Sequence, residues 1–211
     1  ELASTNKLIL ARLEKCRDFR LKSQKVATKK LALKPYQFDE QKYQDSVSIV
    51  IPQTTSENRE YIPIGFLSSE YVVSNGLRLI YGTDNVWIFG ILTSKLHNIW
   101  LKTVAGRLET RIQYSNTICY NTFPFPNISQ TQKDELTEFA FGVLDEREKH
   151  SEKTLAQLYD PDKMPEGLRK AHHALDIAVE KCYRQKPFES DEERLEYLFK
   201  MYEEMTNKGK A

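Results

Sequence analysis

The sequence lacks the closely spaced cysteines and histidines that bind zinc or form a disulfide framework. Its three cysteines, Cys16, Cys119 and Cys182, stand far apart, and no Cys-x-x-Cys or Cys/His cluster occurs. Structural zinc sites and disulfide-rich folds use short, paired spacings. The sequence therefore predicts reduced thiols in a cytoplasmic protein.

Long apolar runs are missing as well. The best run extends only from Val86 to Leu92, whereas a membrane helix needs about 20 apolar residues. The segment that begins at Glu1 is charged and has no apolar stretch of the kind found in a signal peptide. The sequence therefore predicts no membrane partner, and its 40% hydrophobic content is enough for a packed core.

Signatures of the common enzyme classes are also absent. There is no glycine-rich phosphate loop, no Gly-x-Ser-x-Gly elbow and no His-Glu-x-x-His. His172 and His173 are adjacent and would diverge by about 100° on a helix, so we expect them to pack or to face solvent. Pro161-Asp162 resembles the start of a nuclease motif, but no Glu-x-Lys follows it. The sequence predicts no catalytic and no metal-ligating residue in this chain.

Charge is distributed unevenly, although the formal net charge is only +1. Residues 1–34 hold ten Lys/Arg against three Asp/Glu, whereas residues 129–211 hold nineteen Asp/Glu against fourteen Lys/Arg. A basic arm on an otherwise acidic chain is typical of a surface that binds a polyanion. A solvated helix face gives the same pattern, and charge alone leaves both interpretations open.

Periodicity predicts a helix at the N terminus and strands after it. Apolar residues at spacings near three and four predict one helix over residues 4–33, capped within Ser4–Asn6 and ended by Lys34-Pro35. Alternating and β-branched segments then predict a set of strands, with a hairpin turn at Asn75-Gly76. The predicted strands are residues 47–52, 61–67, 71–73, 77–81 and 118–120. A long amphipathic helix is predicted over Val86–Val104, and Asn121–Pro126 is predicted to be an extended linker.

Capping residues predict helices through the rest of the chain. Ser129 or Thr131 begins a helix to about residue 149, and Thr154 begins a short one. Pro165 begins a helix to about residue 184. Ser190 and Glu193 form a capping box for a last helix to about residue 206. The predicted fold class is α+β: an N-terminal helical arm, a mostly β middle and a C-terminal helical bundle.

Glu109 and Arg111 are the pair of side chains with the most specific chemistry. They are one residue apart, so an extended chain would project both to one face. Side by side, a guanidinium can donate to guanine O6 and N7 while a carboxylate accepts from cytosine N4. An exposed ion pair gives the same arrangement and is the more ordinary interpretation of the spacing alone.

Several longer segments resemble type IIL (Mme-like) restriction–modification enzymes. The likeness covers nearly the whole chain, and its C-terminal part includes Asp160-Pro161 and Met164-Pro165. The segments that carry it are Cys16–Ala32, Tyr61–Leu67, Phe89–His97, Val104–Leu108, Tyr114-Ser115, Asn121–Pro126 and Leu155–Tyr159.

Such enzymes join a nuclease, an S-adenosylmethionine-dependent adenine-N6 methyltransferase and a target-recognition domain in one polypeptide. The resemblance implies that this chain is only the last part: a helical spacer (1–34), a target-recognition domain (35–128) and a C-terminal helical domain (129–211). The glycine motif for the methyl donor and the Asn/Asp-Pro-Pro-Tyr motif are not found in the sequence. The resemblance therefore implies that S-adenosylmethionine binds to a methyltransferase domain elsewhere in the polypeptide, and that this chain holds no cofactor.

The resemblance also implies site residues and a partner, double-stranded DNA. In the family, a carboxylate and a basic residue one apart, just before Tyr-Ser, read one base pair, and Glu109 and Arg111 match that pattern. Ser74 and Asn75, at the predicted hairpin turn, are expected to read others. The predicted phosphate contacts are Lys22, Lys25, Lys29, Lys30 and Arg107. The competing hypothesis is a protein-interaction module whose acidic helical tail docks on the other domains while the chain barely contacts DNA.

Overall fold

A computed structural model describes residues 6–39, 43–82 and 85–208 of the chain. It divides into two compact units, residues 1–44 and 45–211. The helices are α1 (Lys7–Leu21), α2 (Val26–Lys30), α3 (Val86–Thr93), α4 (Lys95–Val104), α5 (Gln130–Glu148), α6 (Leu155–Leu158), α7 (Glu166–Tyr183) and α8 (Asp191–Lys208). The strands are β1 (Ser48–Pro52), β2 (Thr54–Thr55), β3 (Gly65–Leu67), β4 (Leu77–Tyr81), β5 (Gly106–Leu108) and β6 (Arg111–Gln113). The α+β class is confirmed.

The N-terminal unit contains α1, α2 and a 3-10 turn at Leu31–Leu33. Asn6 caps α1, because its Oδ1 accepts from the amide of Leu8 at 3.0 Å. The prediction of one helix is wrong between residues 22 and 25, where the chain leaves the helix. Ser23 Oγ accepts from the Lys25 amide at 3.2 Å, so a side chain replaces a helical backbone acceptor there. Ser4 and Thr5, the other predicted caps, lie outside the described residues.

A single arginine holds the end of this unit. The Arg20 guanidinium donates to the carbonyls of Leu31 and Lys34, each at 3.0 Å, and to that of Gln37 at 2.7 Å. Carbonyls at a helix end have no intrahelical donor, so these bonds satisfy acceptors that would otherwise need water. Arg20 thereby fixes the segment after α2 against α1.

Two small antiparallel sheets form the middle of the chain. In the first, β1 lies between β3 and β4; in the second, β6 lies between β2 and β5. Ile49 and Ile51 of β1 are fully buried, as alternation predicts for a strand with one face on the core. β1 and β2 are separated by Gln53 alone, so one stretch of chain leaves the first sheet and enters the second.

Three local predictions for the middle of the chain are wrong. Residues 71–73 form no strand, and residues 118–120 belong to a π-helical turn at Asn116–Tyr120. The Asn75-Gly76 turn does not join a hairpin, because β4 pairs with β1 rather than with β3. The predicted linker Asn121–Pro126 forms no helix or strand, and its Phe123 is buried in the core. Large aromatic side chains keep this proline-rich segment in the interior.

The predicted helix over Val86–Val104 is two helices, α3 and α4. Ser94 separates them with an extended backbone, and its hydroxyl oxygen accepts from the His97 amide at 3.5 Å. The same hydroxyl donates to the Ile91 carbonyl at 2.7 Å. Serine is a preferred N-cap, and here it caps one helix while it terminates the other. Trp100 of α4 is buried.

The C-terminal helices begin where their caps predict. Ser129 with Gln132 forms a reciprocal capping box for α5, and Thr154 with Gln157 does the same for α6. Ser190 Oγ accepts from the Glu193 amide at 3.2 Å at the start of α8. Helix α7 begins directly after Pro165, so all four predicted starts are confirmed.

Buried hydrophobic clusters join the middle of the chain to these helices, and the buried strand residues share one of them with Ala140 of α5. Tyr61, Trp100 and Phe123 lie in the same buried cluster as Leu136 of α5 and Leu198 of α8. The Trp100 ring lies 5.1 Å from the ring of Phe199 in α8, a residue outside that buried set. Residues on both sides of position 128 therefore bury their apolar surface against each other. Among the described helices, none has the length and apolar character needed to cross a bilayer.

Candidate nucleic-acid interface

An exposed hairpin leaves the end of α4 and carries the pair of residues that the sequence singled out. Strands β5 and β6 pair antiparallel, with Leu108 opposite Arg111, so Glu109 and Thr110 form a two-residue turn. Glu109 has φ +57°, a left-handed conformation that costs a non-glycine residue about 1–2 kcal/mol. Strained backbone of this kind occurs at functional sites more often than elsewhere.

The two predicted base-reading side chains of the hairpin meet, but not in the way that the spacing implies. Glu109 lies in the turn rather than in an extended strand, so the prediction of a shared strand face is wrong. The Arg111 Nη2 nevertheless donates to Glu109 Oε2 at 2.9 Å, with the side chains 50% and 76% exposed. The turn thus presents a carboxylate and a guanidinium together to solvent.

Arg107 lies on the same hairpin and is engaged within the chain. Its Nη2 donates to the Lys102 carbonyl at 2.9 Å, and its Nη1 donates to the Thr110 carbonyl at 3.3 Å. Nη1 also lies 3.3 Å from Glu57 Oε2. A guanidinium has five N–H donors, and these contacts already use three of them.

Ser74 and Asn75 lie in an exposed turn that leads into β4. The Leu77 amide donates to the Ser74 carbonyl at 3.3 Å, and the Gly76 amide donates to Ser74 Oγ at 3.4 Å. Both side chains are exposed, so they are available to a partner.

Gln53 connects this turn to the hairpin, and the sequence did not predict this connection. Its amide donates to the Gly76 carbonyl at 2.9 Å, and its carbonyl accepts from the Tyr114 amide, directly after β6, at 2.7 Å. With its side-chain amide assigned to suit its neighbours, Gln53 also donates to the Asn75 carbonyl and accepts from Arg78. The only signal in the sequence was Pro52, since proline inside a strand pattern marks an edge or a change of pairing.

The other predicted phosphate contacts belong to the N-terminal unit. Lys22, Lys25, Lys29 and Lys30 are all exposed. Within the described part of the chain, none of the four lies within 4.0 Å of a carboxylate oxygen. The four ammonium groups are therefore free of internal ion pairs there.

A buried polar cluster anchors the sheets to α7. Asp176 accepts from the Tyr61 hydroxyl at 2.6 Å and from the Lys95 amide at 2.7 Å. Burial raises the pKa of the Asp176 carboxyl to about 7, against the lowering effect of these two donors. The cluster ties the loop before β3 and the first turn of α4 to one side chain of α7.

A second buried chain of bonds ends at His172. Arg147 donates to the Tyr159 hydroxyl oxygen through two nitrogens, and that oxygen lies 2.6 Å from His172 Nε2. Since the oxygen accepts from Arg147, its own hydrogen goes to Nε2, which makes His172 the neutral Nδ1–H tautomer. Burial lowers the pKa of His172 well below its usual value. His172 packs and His173 faces solvent, as predicted.

Over residues 6–39, 43–82 and 85–208, no group of three or more His, Cys, Asp or Glu side chains is placed to hold a metal ion. What the hairpin and the turn offer instead is directional hydrogen bonding from exposed, preformed side chains.

Comparison with known proteins identifies the family of both parts of the chain. Residues 1–127 match the family model described as "MmeI, target recognition domain", and residues 128–208 match "MmeI, C-terminal domain". DNA methyltransferase A of Bacillus subtilis (strain 168) is 46% identical over 208 residues, which are 99% of this chain and 23% of that protein.

A solved structure is similar throughout. The chain in "Structure of Type IIL restriction-modification enzyme MmeI in complex with DNA has implications for engineering of new specificities" superposes with a TM-score of 0.90 at 40% identity. The match covers 95% of this chain and 27% of that one. This chain therefore spans about a quarter of both relatives, and it belongs to the family of MmeI target recognition and C-terminal domains.

Proposed function

We propose that this chain reads a specific sequence in double-stranded DNA, as the specificity portion of a larger type II restriction–modification enzyme that methylates adenine at N6. The observation that carries the proposal is the exposed turn on which Arg111 and Glu109 lie 2.9 Å apart. An arginine fork suits guanine O6 and N7, and a neighbouring carboxylate suits cytosine N4. Together they match the two halves of one C·G pair.

The shape of this region supports the same proposal. The major groove admits a two-stranded β-ribbon, and β5 and β6 form such a ribbon with an exposed end. Ser74 and Asn75 form a second exposed turn, tied to the base of the hairpin through Gln53. We assign further base pairs to this second turn.

The basic N-terminal unit supplies affinity without sequence preference. Exposed lysines free of internal ion pairs neutralise phosphates and release counterions, which makes binding fall as salt rises. We assign this role to Lys22, Lys25, Lys29 and Lys30. Arg107, the fifth predicted phosphate contact, already has three partners within the chain.

The reaction itself is assigned to another domain. Both relatives are about four times as long as the part matched here, which leaves room for a methyltransferase domain that binds S-adenosylmethionine in the same cytoplasmic polypeptide. In this arrangement residues 1–34 are a spacer, residues 35–128 recognise DNA and residues 129–211 are the helical domain that supports them.

The test is to map methylated adenines in a host that expresses the intact enzyme with Arg111→Ala. We expect methylation at one motif for the unchanged enzyme, and a motif relaxed at one position for the variant. An unchanged motif would remove Arg111 from base reading. A gel shift with a random duplex then separates DNA recognition from the competing role as an interaction module, which predicts no shift by this chain.

A further inference from the structure

Arg107 connects three separate parts of the recognition region through one side chain. It donates to the carbonyl of Lys102 in the last turn of α4, to the carbonyl of Thr110 in the hairpin turn, and to the carboxylate of Glu57 in the loop after β2. Among the described residues, no other side chain of the hairpin donates to both the turn and the helix. The planar Arg107 guanidinium, whose donors point in fixed directions, therefore links the turn to the helix and to the loop.

The strands of the hairpin are short, and Ile112 of β6 is their one buried side chain. β5 and β6 have three residues each, and β2, which borders β6, has two. A two-stranded ribbon is marginally stable by itself in water. The turn also contains Glu109 in a left-handed conformation, which surrounding contacts must maintain.

Glu57 determines how free the Arg107 charge is. The two side chains are 40% and 41% exposed, and their closest nitrogen and oxygen are 3.3 Å apart. A carboxylate beside a guanidinium cancels much of the field that would attract a phosphate. This arrangement favours a role inside the protein over the predicted role at the DNA backbone.

We propose that Arg107 is a positioning residue: with Glu57, it fixes the Glu109–Thr110 turn against the end of α4 and so holds Glu109 and Arg111 in the orientation that reads one base pair. The proposal rests on the proposed function. It replaces the phosphate contact predicted for Arg107, and it gives Glu57 a role that no motif suggested.

The decisive variant is Arg107→Lys in the intact enzyme, because it keeps the positive charge and loses the fork. A lysine cannot donate to three acceptors in these directions. We expect discrimination at the base pair read by Glu109 and Arg111 to fall about tenfold, out of the roughly 5- to 150-fold that one good bidentate contact contributes. The readouts are the methylation motif and the salt dependence of binding, whose slope should not change.

The matched control is Arg59→Lys. Arg59 also donates to backbone carbonyls, those of Tyr159 and Ala156, but these lie in and directly after α6 rather than in the hairpin. We expect this variant to lower the melting temperature and to keep the motif. Melting curves of both variants show that loss of discrimination does not follow from general loosening of the fold.

Glu57→Gln provides a second, independent arm. If Glu57 orients Arg107, this variant also relaxes the motif at the same base pair. If Arg107 instead contacts phosphate, removal of the neighbouring negative charge strengthens binding to all sequences and leaves the motif intact, which overturns the proposal.

The remaining outcomes separate this proposal from the function on which it rests. If Arg111→Ala relaxes one position and Arg107→Lys relaxes none, Arg107 is not a positioning residue and base reading by the turn survives. If Arg111→Ala relaxes no position, both ideas fail. A shallower salt slope for Arg107→Gln, with an unchanged motif for Arg107→Lys, identifies a phosphate contact.

Discussion

Glu109 combines an unfavourable backbone conformation with an exposed, chemically specific side chain. Its φ of +57° is a conformation that glycine adopts without a steric penalty. A residue chosen for stability alone at this position would be glycine. A glutamate here lowers stability relative to glycine, and such strain is typical of side chains held in place for binding.

This leads to a prediction about Glu109→Gly. The substitution removes the left-handed strain and adds chain entropy in the unfolded state, so stability should stay the same or rise by up to about 1 kcal/mol. Discrimination at one base pair should fall by about 1–3 kcal/mol. Urea denaturation and binding to matched and mismatched duplexes measure the two effects.

Thr110→Gly is the control for the neighbouring position. Among the described residues, Glu109 alone of the non-glycine residues has positive φ, so Thr110 gains nothing from glycine and should lose stability. Equal changes in the free energy of unfolding in the two glycine variants would show that the left-handed conformation of Glu109 does not lower stability.

At the scale of elements, local contacts explain which predictions succeed. Ser129 with Gln132 and Thr154 with Gln157 bond within three residues, and such caps are visible in the sequence. The break at Ser94 is also local, but the same serine is compatible with a continuous amphipathic pattern. Periodicity alone therefore merged α3 and α4.

The recognition region depends on distant contacts, and these could not be predicted. Gln53 joins segments that lie more than 20 and 60 residues away, and Glu57 pairs with Arg107 across 50 positions. The sequence predicted that Glu109 and Arg111 lie side by side, from their spacing and from the family resemblance. The turn that brings them together was missed, because Glu109 is a residue type that seldom occupies a left-handed position.

The junction between elements at Asp176 predicts a pH effect. Burial raises the pKa of the Asp176 carboxyl from an ordinary 3.8 to about 7 in the folded protein, so folding favours the protonated form. Its contribution to stability is complete below about pH 4 and is lost as pH rises through 7, with a slope of at most about 1.4 kcal/mol per pH unit.

Asp176→Asn isolates this contribution. The unfolding free energy of the unchanged protein minus that of the variant should fall as pH rises from 4 to 8. Only the unchanged protein has to ionise a buried carboxyl group over this range. His97, whose pKa burial lowers to about 4, acts in the opposite direction in both proteins and cancels. A difference that does not vary with pH would place the Asp176 pKa near its ordinary value.

At the scale of the whole molecule, the sheets and the C-terminal helices fold together. Trp100 and Phe123 share a buried cluster with Leu136 and Leu198, and Arg59 donates to two carbonyls around α6. The family boundary near residue 128 therefore does not separate two hydrophobic cores. The C-terminal helices pack on α3 and α4, and the hairpin leaves the end of α4.

A truncation series tests this shared core. Residues 45–211 should unfold cooperatively in urea, as expected for one compact unit. Residues 45–127 alone should show no cooperative transition, since they would expose the faces of Tyr61, Trp100 and Phe123 that pack on the helices. A sharp transition for the shorter chain, with dispersed amide signals in NMR, would mean that the recognition region has a sufficient core of its own.

We propose that the hairpin formed by β5 and β6 presents Glu109 and Arg111 to the edges of one base pair. The most direct measurement is a crystal structure of the intact enzyme with its methylation site as a duplex. We expect the hairpin in the major groove, with the Arg111 guanidinium about 2.7–3.2 Å from guanine O6 or N7. A complex in which this hairpin faces solvent, away from both grooves, would contradict it.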